Sequence, residues 1–205
     1  MTLDPLDKNL GHLNLTNTLV DMVMAGSDTT GCALQWVFTY MVLYPEVQEK
    51  VQLDIEQGTD AYTDAVIHEI HRKSKVVASS VFHSAVEDIH YKDYFIPKGT
   101  YIIPLLGNVM NNPDDFPDPE KFDPERYLSI QEGVQKFTPH PKVIPFSIGK
   151  RRCIGEAIGR VALKKYITEV LKHFTVATDD IIKDVAKPGY IKGPQHFNII
   201  FKPRF

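Results

Sequence analysis

From Leu13 to about Tyr44 apolar residues recur at helical spacing, with Leu15, Leu19, Met22 and Val23 in the first half and Leu34, Val37, Phe38 and Met41 in the second. The pattern predicts a long helix with two buried faces. A loop, Met1 to Pro5 followed by Asp7, Lys8 and Asn9, leads into it. The middle conflicts with a helix interior: Ala25-Gly26-Ser27-Asp28-Thr29-Thr30-Gly31 holds two glycines, each costing about 1 kcal/mol relative to alanine. Two readings of the residues stand side by side. Gly26 ends one helix and Asp28 caps the next, or one helix continues and a hydroxyl bonds back to the carbonyl four residues earlier, opening the turn for a small ligand. Local conflict of this kind often serves function.

Pro45 to Ile55 predicts a second helix, with proline in the first turn and Glu46 and Glu49 near its start. A break follows at Gln57-Gly58-Thr59-Asp60. Tyr62 to Arg72 predicts a third helix on which Glu69 and Arg72, three apart, share one face. On a surface such a pair is worth only about 0.2–0.5 kcal/mol and carries little meaning by itself. The pattern then turns to strand: Val76 to Phe82 is short and β-branched, and Tyr91 to Leu106 predicts a hairpin around Pro97-Lys98-Gly99. Asn111 to Pro124 carries Pro113, Pro117, Pro119 and Pro124 among acidic residues, which forbids a regular helix and predicts an ordered, meandering loop. Gln131 to Pro145 predicts a second loop. A helix from Glu156 to His173 sets Ala157, Ile158, Val161, Ala162, Ile167, Val170 and Leu171 half against the core, and Phe197 to Lys202 predicts a terminal strand. The expected class is mainly α with small β-sheets.

Composition narrows the picture without changing it. The 205 residues, 43% of them apolar, suffice for one domain with a substantial core. The formal charge of −3 and scattered basic residues leave nucleic acid without an electrostatic footprint. Cys32 and Cys153, the two cysteines, give no disulfide framework and fit a reducing compartment. The longest apolar run, Ala33 to Tyr44, includes Gln35 and Thr39 and is too short to span a bilayer, and no signal peptide opens the chain.

Between the second loop and the last helix lies Phe146-Ser147-Ile148-Gly149-Lys150-Arg151-Arg152-Cys153-Ile154-Gly155-Glu156. The preceding cations and the following helix both favour a thiolate at Cys153. Gly149 and Gly155 remove side chains on either side of the sulfur and permit a tight turn or close approach to a flat partner. A buried, inert thiol is the alternative. Zinc and iron–sulfur spacings require further Cys or His nearby, whereas a lone thiolate suffices as axial ligand to haem iron.

This run resembles Phe-x-x-Gly-x-Arg-x-Cys-x-Gly, the haem-binding loop of the cytochrome P-450 family, at all its fixed positions. The resemblance implies Cys153 as the axial ligand of haem b (iron protoporphyrin IX), Arg151 as a propionate contact, and Phe146 packed beside the loop with Gly149 and Gly155. Ala25 to Thr30 resembles the family's central-helix signature, implying Asp28 and Thr29 as the acid–alcohol pair that delivers protons to dioxygen. Glu69 and Arg72 resemble its Glu-x-x-Arg helix. With Arg126, from Phe122-Asp123-Pro124-Glu125-Arg126-Tyr127, they form an implied structural cluster. His83 matches a strand position that contacts a propionate. The link from Ile55 to Tyr62 is shorter than the family's usual insertion.

The implied fold is the C-terminal part of a cytochrome P-450 domain over residues 1–205, beginning at the central oxygen-binding helix, with the N-terminal half and membrane anchor absent. The flavour is most similar to animal microsomal drug- and steroid-metabolising members. The implied function is a haem-thiolate monooxygenase that inserts one atom of dioxygen into a lipophilic small-molecule substrate. Electrons would come from NADPH-cytochrome P-450 reductase, at the cytosolic face of the endoplasmic reticulum membrane. The alternative is a truncated, catalytically inactive haem- or partner-binding fragment. Isomerase chemistry without external reductant is disfavoured by the acid–alcohol pair.

Overall fold

The computed structural model describes residues 5–205, with side chains from Gly11 onward. The expected loop at Met1–Asp4 lies outside the described residues, and Pro5 to Asn9 is helical instead. Helix α1, Pro5–Leu43, runs through the glycine-containing segment without a break, so Asp28 caps nothing. Five of its hydroxyls are satisfied within the helix: Thr16, Thr18, Ser27, Thr29 and Thr39 each donate to the carbonyl four residues back. Only its second half is buried. Trp36, Val37, Tyr40 and Met41 are at most 1% exposed, whereas Leu15, Leu19, Met22 and Val23 lie open, because among the described residues nothing packs on that stretch. The expectation of two buried faces is corrected accordingly.

Helix α2, Pro45–Gln57, starts on its proline and ends at Gly58, whose φ of 67° is the left-handed cap that glycine adopts without strain. Helix α3, Ala61–Ser74, follows at once. The short link is closed by Asp54, a buried carboxylate that accepts from Thr63 N at 2.9 Å and Thr63 Oγ1 at 2.6 Å, and also from Thr59 Oγ1. It caps α3 from the preceding helix. Helix α5, Glu156–His173, buries Leu163, Ile167 and Leu171, four residues apart, on one stripe. Ile158 and Val161, expected against the core, are 78% and 69% exposed. The second half of α1 packs with α2, α3 and α5 around Trp36, Tyr40, Val51, Val66, Ile70 and Ile167. Each such burial is worth about 1.5–3 kcal/mol.

The β content is a set of small antiparallel pairs. β1, His83–Ser84, pairs with β4, Tyr101–Ile102; β2, Ile89–Tyr91, pairs with β3, Tyr94–Ile96. The hairpin therefore turns at Lys92-Asp93, with Lys92 at φ 52°, rather than at Pro97-Lys98-Gly99. Val76 to Phe82 makes one bridge, Val77 to Ile191, and no strand. The short helix α4, Leu106–Val109, ends what was expected to be strand. β5, Leu128–Gln131, and β6, Val134–Phe137, form a hairpin across Glu132 and Gly133, both at positive φ, inside the expected second loop. β7, Phe174–Ala177, pairs with β8, Ile200–Pro203. Gln48 of α2 holds β7 in place, donating to Val176 O at 3.0 Å and accepting from Val176 N at 2.7 Å. Among the described residues no helix is long and apolar enough to cross a membrane.

Candidate functional site

The cysteine loop is shaped by its backbone. Ser147 at φ 62° and Gly149 at φ 80° turn the chain through left-handed conformations, and a 3-10 turn follows at Gly149–Arg151. Cys153 N then donates to Phe146 O at 2.9 Å, closing the loop just ahead of α5. A Cβ on Gly155 would stand 3.8 Å from Cys153 Sγ, so glycine keeps that side of the sulfur open. The thiol is free and exposed.

It opens on a cavity of about 270 Å³. α1 contributes Thr29, Thr30 and Ala33 to the walls, and Phe146, Arg151 and Cys153 come from the loop. Val76, Val77, Val81, Leu106 and Leu163 make much of the remainder apolar. The structure thus brings the expected alcohol and the expected thiolate to one chamber although they are far apart in sequence. Thr29 Oγ1 donates to Ala25 O at 2.7 Å, so its own lone pairs remain free to accept a hydrogen bond. Asp28 is exposed and does not line the chamber, and His83 of β1 does not line it either.

Glu69 and Arg72 lie behind this chamber, both fully buried. Arg72 Nε and Nη2 donate to the two carboxylate oxygens of Glu69 at 2.7 and 2.8 Å. The remaining guanidinium donors reach the carbonyls of Met110, Pro119 and Lys121, pinning the proline-rich meander. Arg126 Nε stands 3.5 Å from Glu69 Oε1 and donates to Asp123 O at 3.1 Å. Tyr127 completes the cluster, donating to Glu69 Oε2 at 2.6 Å. Burial and the Glu69 charge hold the Tyr127 hydroxyl far above its ordinary pKa, so it stays a donor.

Two histidines of α3 escaped the sequence reading. His68 Nε2 accepts from His140 N at 3.1 Å, which ties α3 to the segment leading into the cysteine loop. His71 lines the chamber and meets the Phe146 ring edge-on at 5.3 Å between centroids. Arg160 of α5 also packs against Phe146, 4.9 Å from its centroid. Burial first, then the Arg160 charge, lowers the His68 pKa to about 4 and that of His71 to about 3, so both imidazoles are neutral near pH 7. Nothing in the sequence marks His71 beyond its place between Glu69 and Arg72; its burial follows from α3 being covered on all sides.

An open thiol, a cation at Arg151, an unpartnered imidazole nitrogen on His71 and apolar walls fit a large, flat, mostly apolar group that carries both a metal and carboxylates. Haem is such a group. Among the described residues no cluster of three or more His, Cys, Asp or Glu side chains could hold a bare metal ion.

Comparison with known proteins agrees. A family model described as Cytochrome P450 matches residues 3–201. The chain is 36% identical to cytochrome P450 2E1 of Sus scrofa and 37% identical to cytochrome P450 2C3 of Oryctolagus cuniculus, in each case over 93% of its own length. It is 38% identical to cytochrome P450 2G1 of Rattus norvegicus, again over 93% of its length. It spans 41–42% of the length of these relatives.

Proposed function

The chain belongs to the cytochrome P450 family, and we propose that it acts as a haem-thiolate monooxygenase, placing one atom of dioxygen into a lipophilic organic substrate with electrons from an NADPH-dependent reductase. The observation that carries this reading is the shared chamber: Cys153 and Arg151 on one wall, Thr29 and Thr30 on another. Haem b, when bound, supplies dioxygen activation, which a thiolate ligand favours by pushing electron density toward O–O cleavage. Cys153 Sγ would hold the iron, and the Arg151 guanidinium would pair with a haem carboxylate. Thr29, fixed by its bond to Ala25 O, presents Oγ1 to the chamber as a hydrogen-bond acceptor, and the exposed Asp28 carboxylate stands one residue away. The apolar walls exclude water and accept an apolar substrate. A microsomal setting follows from the same resemblance.

A second reading, haem or partner binding without turnover, is favoured by the exposed apolar stretch Leu19 to Met24 and by Phe82 at 66% exposure. One experiment separates the two. The haem-loaded chain is incubated with NADPH, a flavoprotein reductase, a lipophilic substrate and ¹⁸O₂. The monooxygenase reading expects one labelled oxygen atom per product molecule; haem uptake without labelled product establishes the second reading instead.

A further inference from the structure

His71 poses a problem that the family motifs do not solve. Its side chain is buried, and Nε2 has no hydrogen-bond partner within the protein. An orphaned buried polar atom costs about 1–3 kcal/mol, and native structures retain one where something else completes it. The imidazole lines the chamber that holds Cys153, so a bound group there can reach it. The ring is held on one side by Phe146 and is fixed on α3 between Glu69 and Arg72, which are themselves locked. The charged side chains that line the chamber with it are cations. Arg151 and Lys75 line the same chamber, and Arg160 packs on the far partner of the His71–Phe146 contact. Such a surrounding calls for an anion.

Resting on the haem reading above, we propose that His71 is a positioning residue whose Nε2–H donates a hydrogen bond to a carboxylate of the haem. The contact completes the orphaned nitrogen. It also seats Phe146, and through the Cys153 N–Phe146 O bond it steadies the cysteine loop. It further assigns to α3 a donor that the sequence resemblance had placed on the strand residue His83.

The test compares the haem-loaded 205-residue chain with His71→Phe, which keeps an aromatic ring and removes the donor, and with His71→Gln, which keeps an N–H. Haem loss is followed by transfer to an excess of an apoglobin, and the ferric/ferrous potential is measured in parallel. Loss of the donor is expected to speed haem release about tenfold in His71→Phe, the equivalent of about 1.4 kcal/mol, with His71→Gln restored to near the parent rate. The potential is expected to shift little, because the donor serves a carboxylate and not the iron's ligand; a marked fall in His71→Phe would place the donor on Sγ and overturn the assignment. If His71→Phe releases haem at the parent rate with the parent potential, or if His71→Gln behaves like His71→Phe, the proposal is overturned. A parent chain that takes up no haem overturns the reading under Proposed function, and this inference with it.

Discussion

Glu69 and Cys153 are the two reactive groups at the centre of this molecule, and the structure treats them in opposite ways. Every lone-pair direction of Glu69 is answered from within the chain, by Arg72, Tyr127 and the Asp123 amide, with Arg126 alongside. Around Cys153 the groups are left open. The thiol is exposed, His71 Nε2 is unpartnered, and among the described residues Arg151 forms no ion pair. A closed network stabilises and specifies a fold; an open set of donors addresses something that the chain does not itself contain. The contrast separates structure from function without reference to any motif.

The largest effect should come from opening the closed site. Glu69→Ala leaves the Arg72 charge buried without its partner and should destabilise the chain by about 3–5 kcal/mol in urea unfolding. A loss below about 1 kcal/mol would erase the distinction drawn here.

Acid should act next, on the histidines that link the two sites. His68 and His71 have folded pKa values of about 4 and about 3, against about 6.5 when unfolded. Both are neutral in the fold and bind a proton more readily once unfolded, so their contribution is complete above pH 6.5. It is lost as pH falls toward 4 and 3, at up to about 1.4 kcal/mol per pH unit for each group. The Arg160 charge faces both and reinforces the trend, as does His68 for His71. Urea midpoints measured between pH 7 and pH 4 should decline, and His71→Phe should flatten the slope. A parent slope that His71→Phe leaves unchanged would contradict this assignment.

Much of this was legible in the sequence, for reasons specific to each element. Helices α2 and α3 announce themselves through Pro45, Gly58 and apolar spacing, because caps and periodicity are local properties. The tight turn ahead of Cys153 and the back-bonded Thr29 hydroxyl were legible because Gly149 and the glycine-containing helix interior are local signals. The exposure of Leu19 and Ile158 was not, since apolar spacing records a face made to be covered and says nothing of what covers it. The β5–β6 hairpin was missed although Glu132-Gly133 supplies its turn, because the flanking prolines dominated the reading. His71 and Tyr127 were missed for a different reason. Their roles depend on contacts to Phe146 and Glu69, which only the tertiary fold creates.

The smallest stability effect belongs to the open site, and there the central claim is most exposed. Cys153→Ser changes an exposed side chain and should shift stability by no more than about 0.5 kcal/mol. It should nevertheless abolish thiolate ligation. The decisive measurement is the absorption spectrum of the haem-loaded, reduced and carbon-monoxide-treated chain beside that of Cys153→Ser. The account predicts the strongly red-shifted Soret band of a thiolate-ligated haem in the parent and its loss in the variant. A parent without that band, or a variant that keeps it, would contradict the assignment of Cys153 as the axial ligand.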